Sequence, residues 1–436
     1  IVQLSTNYPS INIIDNEAIY EGVIPSGHDF EVNFLIASDE MTSFGEIPFS
    51  LNVSASVSGN IPTGLEFDPY VGDLDIMIPF GFAQDGYPIN DVTVDAAPLF
   101  TDLYGNSSFS QIFFNSDSMV MGNWISGFDV LGFPFDAGSR VTTSITSGDV
   151  DGDADGELIF GTEDGSLYVL NKDGSVYLEF TQPDPIIGFP VLYDINGSEE
   201  LNMIFISIND SSSNLHVISN EGDYIEGFPI ALEGELKYGS SVSDLDRDGV
   251  PDIVTPSEEG TLNVIESSGE LMPGFPIHLS SNITTPATIA DMDGDDDLEV
   301  MVGTIDGHVH ILNHDGSIMQ TYSTDAAICS GISIADLDQD GFMEMVFNTS
   351  DHLLHAWEPH SQMELEGWPV DMGNESVTEP MIIDLNNDLN LEVISIAKDG
   401  FMNVIQYDGS SYDNFPYLSY DSTQFSPAIG DLDEDN

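Results

Sequence analysis

The sequence predicts an all-β chain built from one repeated unit of roughly four strands. Three observations carry this. An aspartate-rich string recurs every 45 to 50 residues. Each string is followed by short apolar runs broken by Asp-Gly and Gly/Pro turns, with no sustained helical period. Hydrophobic residues make up 41% of the chain and aromatics 10%, enough to bury a core despite a net charge of -72.

The charge excludes whole classes of partner. The 436 residues hold 5 Lys+Arg against 77 Asp+Glu. Nucleic acid and anionic membrane surfaces both need clustered cations, so neither is a partner. No apolar run reaches 18 residues, so no membrane insertion is expected. A single cysteine, Cys329, excludes an internal disulfide and a Cys-rich zinc site. It sits in an apolar strand, AAICSGISIAD, and reads as a buried structural thiol. The chain opens IVQLSTNYPS, so it reads as a mature or excerpted chain whose targeting segment is gone.

The acidic strings begin at Asp102, Asp149, Asp194, Asp244, Asp291, Asp336, Asp384 and Asp431. Before each comes a short apolar stretch, often with a proline: Pro98, Pro190, Pro286, Pro380, Pro427. After it come an apolar run (ELIFG, DIVTP, LEVMVG, MEMVFN), an Asp-Gly turn and an alternating strand such as GSLYVLNKDG. Several units end in Gly-aromatic-Pro: Gly132-Phe133-Pro134, Gly227-Phe228-Pro229, Gly274-Phe275-Pro276 and Gly367-Trp368-Pro369. Such a unit cannot bury both sheet faces alone, and neighbours packed in a ring supply the missing contacts. Seven complete units predict a β-propeller of seven four-stranded blades, or eight if the cut-off last copy is completed. The blade-end aromatics, Phe415 included, are expected to pack between blades.

The D-x-D-x-D-(G)-x-x-[D/E] loop and the apolar-Gly-x-x-Asp-Gly strand pair after it resemble the FG-GAP/VCBS repeats of integrin-like propellers. The resemblance covers roughly residues 86–436. Carboxylates at positions 1, 3, 5 and 9 of such a loop can converge on one point. Hard oxygen ligands in that number suit Ca2+ better than Mg2+ or a soft metal. The expected ligand sets are Asp149/Asp151/Asp153/Glu157, Asp244/Asp246/Asp248/Asp252, Asp291/Asp293/Asp295/Glu299 and Asp336/Asp338/Asp340/Glu344. Asp384/Asn386/Asp388/Glu392 is a slightly poorer fifth, and Asp431, Asp433 and Asp435 begin an unfinished one. About five structural Ca2+ ions are expected. The family usually has Gly at position 6; Gly249 and Gly341 obey, whereas Ala154, Asp296 and Leu389 imply turns of another geometry. The strings at Asp102 and Asp194 (with Asn196 and Ser198) have lost most of their charge. Sequons at Asn52, Asn106, Asn196, Asn209, Asn282, Asn348 and Asn374 are candidate glycan sites in an exported glycoprotein.

Residues 1–85 lack the repeat and read as strands (IVQLS, SINII, DFEVNFLIAS, PFSLNVSASV, LDIMIP), a small immunoglobulin- or fibronectin-like β-sandwich. Gly86-Tyr87-Pro88 marks the boundary. Closure of the ring has three solutions. The natural chain continues past Asn436; or residues 73–79, DLDIMIP, complete the blade begun at residues 425–430; or a neighbouring copy completes it by strand exchange, which makes a homopolymer.

No G-x-S-x-G, H-E-x-x-H, P-loop or G-x-G-x-x-G in strand–helix context is present, so no enzyme is expected. His308 and His310 share a strand face with His314 nearby, and read as repeat surface positions rather than a zinc pair. The chain therefore reads as a secreted or cell-surface, calcium-stabilised propeller. Its expected role is non-catalytic adhesion, binding or extracellular structure, with surface proteins, glycans or copies of itself as partners. The alternatives are an accessory region of a larger secreted enzyme such as a peptidase, or a polysaccharide-acting propeller enzyme.

Overall fold

The computed structural model describes residues 94–429, apart from 105–110, 125–127, 210–211, 414 and 419–424, together with the backbone of six strands before residue 94. The chain divides into two compact units, Ile1–Ala83 and Gln84–Asn436. In the first, Glu17–Ala18, Val2–Ser5, Gly45–Ser54 and Val71–Phe80 form one antiparallel sheet in that order, and Ile11–Asp15 pairs with Leu35–Ser38. Residues 73–79, considered above as a closing strand, lie within Val71–Phe80 and pair along their length with Gly45–Ser54.

The second unit is a β-propeller. Its described residues form seven antiparallel sheets and no helix, each sheet running in sequence order. The second sheet is typical: Thr146–Gly148, Glu157–Gly161, Ser166–Leu170 and Val176–Thr181. In the sixth, the outer strand is split, with Met363–Glu364 and Val370–Asp371 both paired to Leu353–Glu358. The second strands, among them Glu157–Gly161, Asp252–Pro256, Glu299–Gly303, Glu344–Asn348 and Glu392–Ile396, are buried at every residue. Each is covered on both faces, so it reads as a continuous apolar run. Outer strands such as Val176–Thr181 are largely exposed.

The core lies between sheets. Phe113, Val120 and Phe133 of the first sheet region pack with Leu158, Phe160 and Leu170 of the second. Met301, Val309 and Ile311 pack with Met345, Phe347 and Trp357. At the innermost strands, hydroxyls clasp the next sheet: Thr146 Oγ1 donates to the Pro190 carbonyl (2.7 Å), Ser241 Oγ to Ala287 (2.6 Å) and Thr288 Oγ1 to Ile332 (2.8 Å). Thr142 and Thr284 make a second clasp, to the carbonyls of Ile186 (2.5 Å) and Ile328 (2.7 Å). Cys329 takes the equivalent place, with Sγ 3.0 Å from the Ser376 carbonyl. Burial pushes its thiol pKa up to about 12, as fits a structural thiol.

The Gly-aromatic-Pro turns are the outer half of each seam. Their prolines follow cis peptide bonds, and Phe133, Phe228, Phe275 and Trp368 are buried in the clusters between sheets. Gly227 has φ +99°, and a Cβ there would lie 2.1 Å from the Ser268 carbonyl oxygen in the next sheet's turn. Gly132, Gly274 and Gly367 meet Asp173, Asp315 and Asp408 in the same way. Residues 425–429, expected to open an eighth blade, form no strand.

Gly227→Ala has both a forbidden φ and a backbone collision. It should cost about 3 kcal/mol or more in chemical denaturation, whereas loss of one clasp hydroxyl in Thr288→Val should cost about 1 kcal/mol. Equal effects would show that the seam tolerates a side chain at Gly227.

Candidate metal centres

Among the described residues, the acidic strings from Asp149 to Asp384 each form the loop between the first and second strands of a sheet. The loops fold by one rule. The carboxylate at position 1 accepts the position-6 N–H: Ala154 to Asp149 (3.1 Å), Gly249 to Asp244 (2.9 Å), Asp296 to Asp291 (3.3 Å), Gly341 to Asp336 (3.1 Å) and Leu389 to Asp384 (2.8 Å). The side chains at positions 3 and 5 accept the N–H two residues on, as in Asp153 to Asp151 and Asp155 to Asp153. The position-9 side chain reaches back to the position-2 N–H: Val150 to Glu157 (2.8 Å), Leu245 to Asp252 (3.2 Å), Met292 to Glu299 (2.8 Å), Leu337 to Glu344 (2.7 Å) and Leu385 to Glu392 (2.9 Å).

Position 6 corrects an expectation. Ala154 (φ 74°), Asp296 (φ 82°) and Leu389 (φ 74°) do not adopt another turn; they take the left-handed conformation of Gly249 (φ 89°) and Gly341 (φ 95°). The position-6 hydrogen bond is available only in that conformation of the loop. It offsets a left-handed cost of roughly 1–2 kcal/mol.

Four loops bring three carboxylates within 4.8 Å of one another: Asp149/Asp151/Glu157, Asp244/Asp246/Asp252, Asp291/Asp293/Asp295 and Asp336/Asp338/Glu344. Asp153, Asp248, Glu299 and Asp340 lie in these loops but outside the triplets. Asp384, Asn386, Asp388 and Glu392 form no such triplet; the Asn386 amide instead donates to Asp388 (3.2 Å). Asp431, Asp433 and Asp435 lie outside the described residues.

The position-9 groups begin the buried second strands, so they are themselves buried. Glu157 and Glu299 are 1% exposed and Glu344 0%. Burial, with the neighbouring aspartates adding to it, raises their pKa values to about 7, 7 and 8, and that of Asp252 to about 6. Asp244 Oδ1, Asp336 Oδ1 and Glu344 Oε1 are buried without a hydrogen-bond partner among the described residues. A buried acceptor without a donor is costly, and an all-oxygen set of this kind fits a hard divalent cation. These clusters could therefore hold metal ions.

Two loops whose second strand begins with an uncharged residue keep the same hydrogen bond, which the sequence did not disclose. In the third sheet Asn202, 2% exposed, takes position 9 and accepts the Ile195 N–H (3.1 Å). In the first sheet Gln111, 1% exposed, accepts the Leu103 N–H (3.1 Å). An amide oxygen at the start of the second strand was the available signal. Among the sequons, Asn348 is 1% exposed and donates to the Thr378 carbonyl (3.2 Å), so it is closed to a glycan. Asn196, Asn209 and Asn282 are exposed, Asn374 is half-buried, and Asn106 and the Asn52 side chain lie outside the described residues. The His308 and His310 rings stack 5.8 Å apart; their Nδ1 atoms pair with Asp306 and Thr321.

No protein-family model and no curated protein matches the chain. Solved β-propellers do. The biofilm matrix protein Bap1 of V. cholerae is 12% identical, with a TM-score of 0.56 over 81% of this chain and 85% of that one. BBS1N, solved in complex with ARL6DN, is 11% identical, with a TM-score of 0.51 over 72% and 92%. Quinohemoprotein alcohol dehydrogenase from Comamonas testosteroni is 11% identical, with a TM-score of 0.53 over 77% and 68%. At these identities the likeness is one of fold alone. It spans a matrix protein, a partner-binding protein and an enzyme.

Two outcomes test the loops. Leu389 is 79% exposed, so Leu389→Gly should stabilise the protein by about 1 kcal/mol through relief of its left-handed backbone. The raised position-9 pKa values stabilise the metal-free fold below the ordinary carboxylate range, and that stability is lost as pH rises through about 6 to 8. Melting of metal-free protein from pH 4.5 to 8.5 should therefore fall. Glu344→Gln should recover on the order of 2 kcal/mol at pH 8. A flat profile would mean that these groups are not charged and unpaired in the metal-free fold.

Proposed function

We propose that this chain is a calcium-stabilised propeller of the FG-GAP/VCBS kind. It is exported to the cell surface or extracellular matrix and serves there as a non-catalytic binding or structural element. Residues 1–85 would be a sandwich module leading into it. The reading rests on one observation above all: four sheets repeat a carboxylate triplet, which in three of them includes the buried position-9 acid, and three oxygens of these groups, on Asp244, Asp336 and Glu344, lack a donor among the described residues. When bound, Ca2+ would supply the missing positive charge; the loop carboxylates would hold it and the position-2 and position-6 N–H groups would fix their orientation.

Export is supported by the composition. An almost Lys/Arg-free surface needs screening, which a saline or divalent-rich exterior provides. A non-catalytic role is supported by the imidazoles. Ser207 Oγ lies 2.9 Å from His216 Nε2, and Thr349 Oγ1 3.2 Å from His355 Nε2, but Ser207 and Thr349 are 0% exposed and closed to substrate. The fold is also that of a biofilm matrix protein. Surface proteins, glycans or further copies of this chain are the proposed partners.

Calorimetric titration of Ca2+ into metal-free protein should give about five equivalents, the one at Asp384 the weakest. Chelation should lower the melting temperature by on the order of 10 °C, with Mg2+ a poor substitute. An unchanged melt in EDTA would sink the calcium reading.

A further inference from the structure

The residue five places before each acidic string from Asp102 to Asp384 lies two residues ahead of the innermost strand, or within it at Phe189, on the side of the propeller's axis. Most are small or proline: Ala97, Ser144, Gly239, Pro286 and Gly331. Two are large, Phe189 and Glu379, and each lies over a glycine of a neighbouring sheet. A Cβ on Gly239 would come 2.8 Å from Phe189 Cε1, and one on Gly331 would come 2.7 Å from Glu379 Oε2 and 2.8 Å from its Cδ. The place of the Glu379 carboxylate is thus set by the absence of a side chain at Gly331.

Glu379 borders an open cavity of about 630 Å³ between the innermost strands of the fifth, sixth and seventh sheets. The other walls are mainly apolar, Ile289, Ala290, Ile332, Ile334 and Met343, with Asp291 of the fifth sheet's acidic loop at their edge. Thr288 and Ser333 also border it, but their hydroxyls are already donated to the Ile332 and Pro380 carbonyls. Among the described residues, nothing donates a hydrogen bond or presents a cation to the Glu379 carboxylate. Glu379 is exposed and meets water through the cavity mouth, and partial desolvation by the protein around it raises its pKa.

We propose that this axial cavity binds an organic cation with an aliphatic stem, an ammonium or guanidinium group on the Glu379 carboxylate and its methylenes along Ile289, Ile332, Ile334 and Met343. Two carboxylates, Glu379 and Asp291, cannot supply the six to eight oxygens that Ca2+ takes, and between apolar walls they favour a weakly hydrated organic head over a small metal ion. The negative field of the chain concentrates cations at the mouth. The site shares Asp291 with the fifth sheet's acidic loop, so calcium is held saturating in the test, and Glu379, which belongs to no loop, is the residue varied.

The test uses the full chain in saturating Ca2+ and constant salt, with n-butylammonium, methylammonium, n-butanol and the capped peptide Ac-Gly-Lys-Gly-NH2 as probes in calorimetry or ligand-observed NMR. Butylammonium should bind with one equivalent, about tenfold more tightly than methylammonium or butanol. Glu379→Gln should weaken it at least tenfold, Gly331→Ala should weaken it by displacing the carboxylate, and Glu226→Gln on the exposed surface should leave it unchanged. Unaltered melting temperatures and calcium stoichiometry would show that the variants fold. Binding of the peptide as well would identify a partner's lysine side chain as the ligand; binding of the free amine alone would identify a small molecule. Equal binding to the wild type and Glu379→Gln, or butanol binding as well as butylammonium, would overturn the proposal.

Discussion

One hydrogen bond organises the propeller: the N–H at loop position 2 donating to the side-chain oxygen that begins the second strand. It recurs in all seven sheets, onto Gln111, Glu157, Asn202, Asp252, Glu299, Glu344 and Glu392. It ties the innermost strand to the one strand buried on both faces. In six of the seven sheets the residue that donates is itself an apolar anchor, from Leu103 at 0% exposed to Met292 at 6%; Leu385, in the seventh, is 41% exposed. The loop is therefore shaped by a side-chain oxygen, and its charge is a second property laid on that shape.

That separation explains why the sheets differ. Where the oxygen that begins the second strand is an amide, as in Asn202 at position 9 and Gln111 one place later, the N–H at position 2 is satisfied without burying a charge. Where it is a carboxylate, the same bond buries a charge, and two or three aspartates stand against it. Three unit charges within 4.8 Å repel strongly in a partly dry site. The metal-free fold answers by raising the pKa of the buried member, and a divalent ion would answer by neutralising the group. The seventh loop is intermediate: Asn386 spends its amide on Asp388, and no triplet forms.

Much of this was legible in the sequence because the period exposes it. A constant spacing marks the blades, the double-sided burial of the second strand makes a continuous apolar run, and carboxylates at positions 1, 3 and 5 mark the loops. What stayed hidden depended on geometry that residue type does not disclose. Asn202 and Gln111 looked like decay because charge was the visible signal, whereas the loop needs only an oxygen. Ala154, Asp296 and Leu389 looked incompatible with a left-handed turn because propensity is local, whereas the position-6 hydrogen bond is not. The sequon at Asn348 falls on a second strand, where register and burial close it. Residues 425–429 match an innermost strand in sequence but form none in the structure.

The acidity beyond the loops has a different physical status. The 19 carboxylates at the ligand positions of the five good loops would be met by only ten charges from five Ca2+ ions, leaving the chain at about -62. Nor do basic side chains compensate. All five are already paired: Arg140 with Asp95, Lys172 with Asp155, Lys237 with Glu258, Arg247 with Asp296 and Lys398 with Glu375. Such partly exposed pairs contribute roughly 0–1 kcal/mol each, so they cannot offset the repulsion of the rest. Cohesion must come from the apolar seams, where Phe133, Phe228, Phe275 and Trp368 are sealed between sheets. Repulsion acts on the surface and scales with ionic strength, while burial acts at the seams and hardly does. The balance between them is thus set by the medium, and low salt should open the ring at its seams before it melts any single sheet.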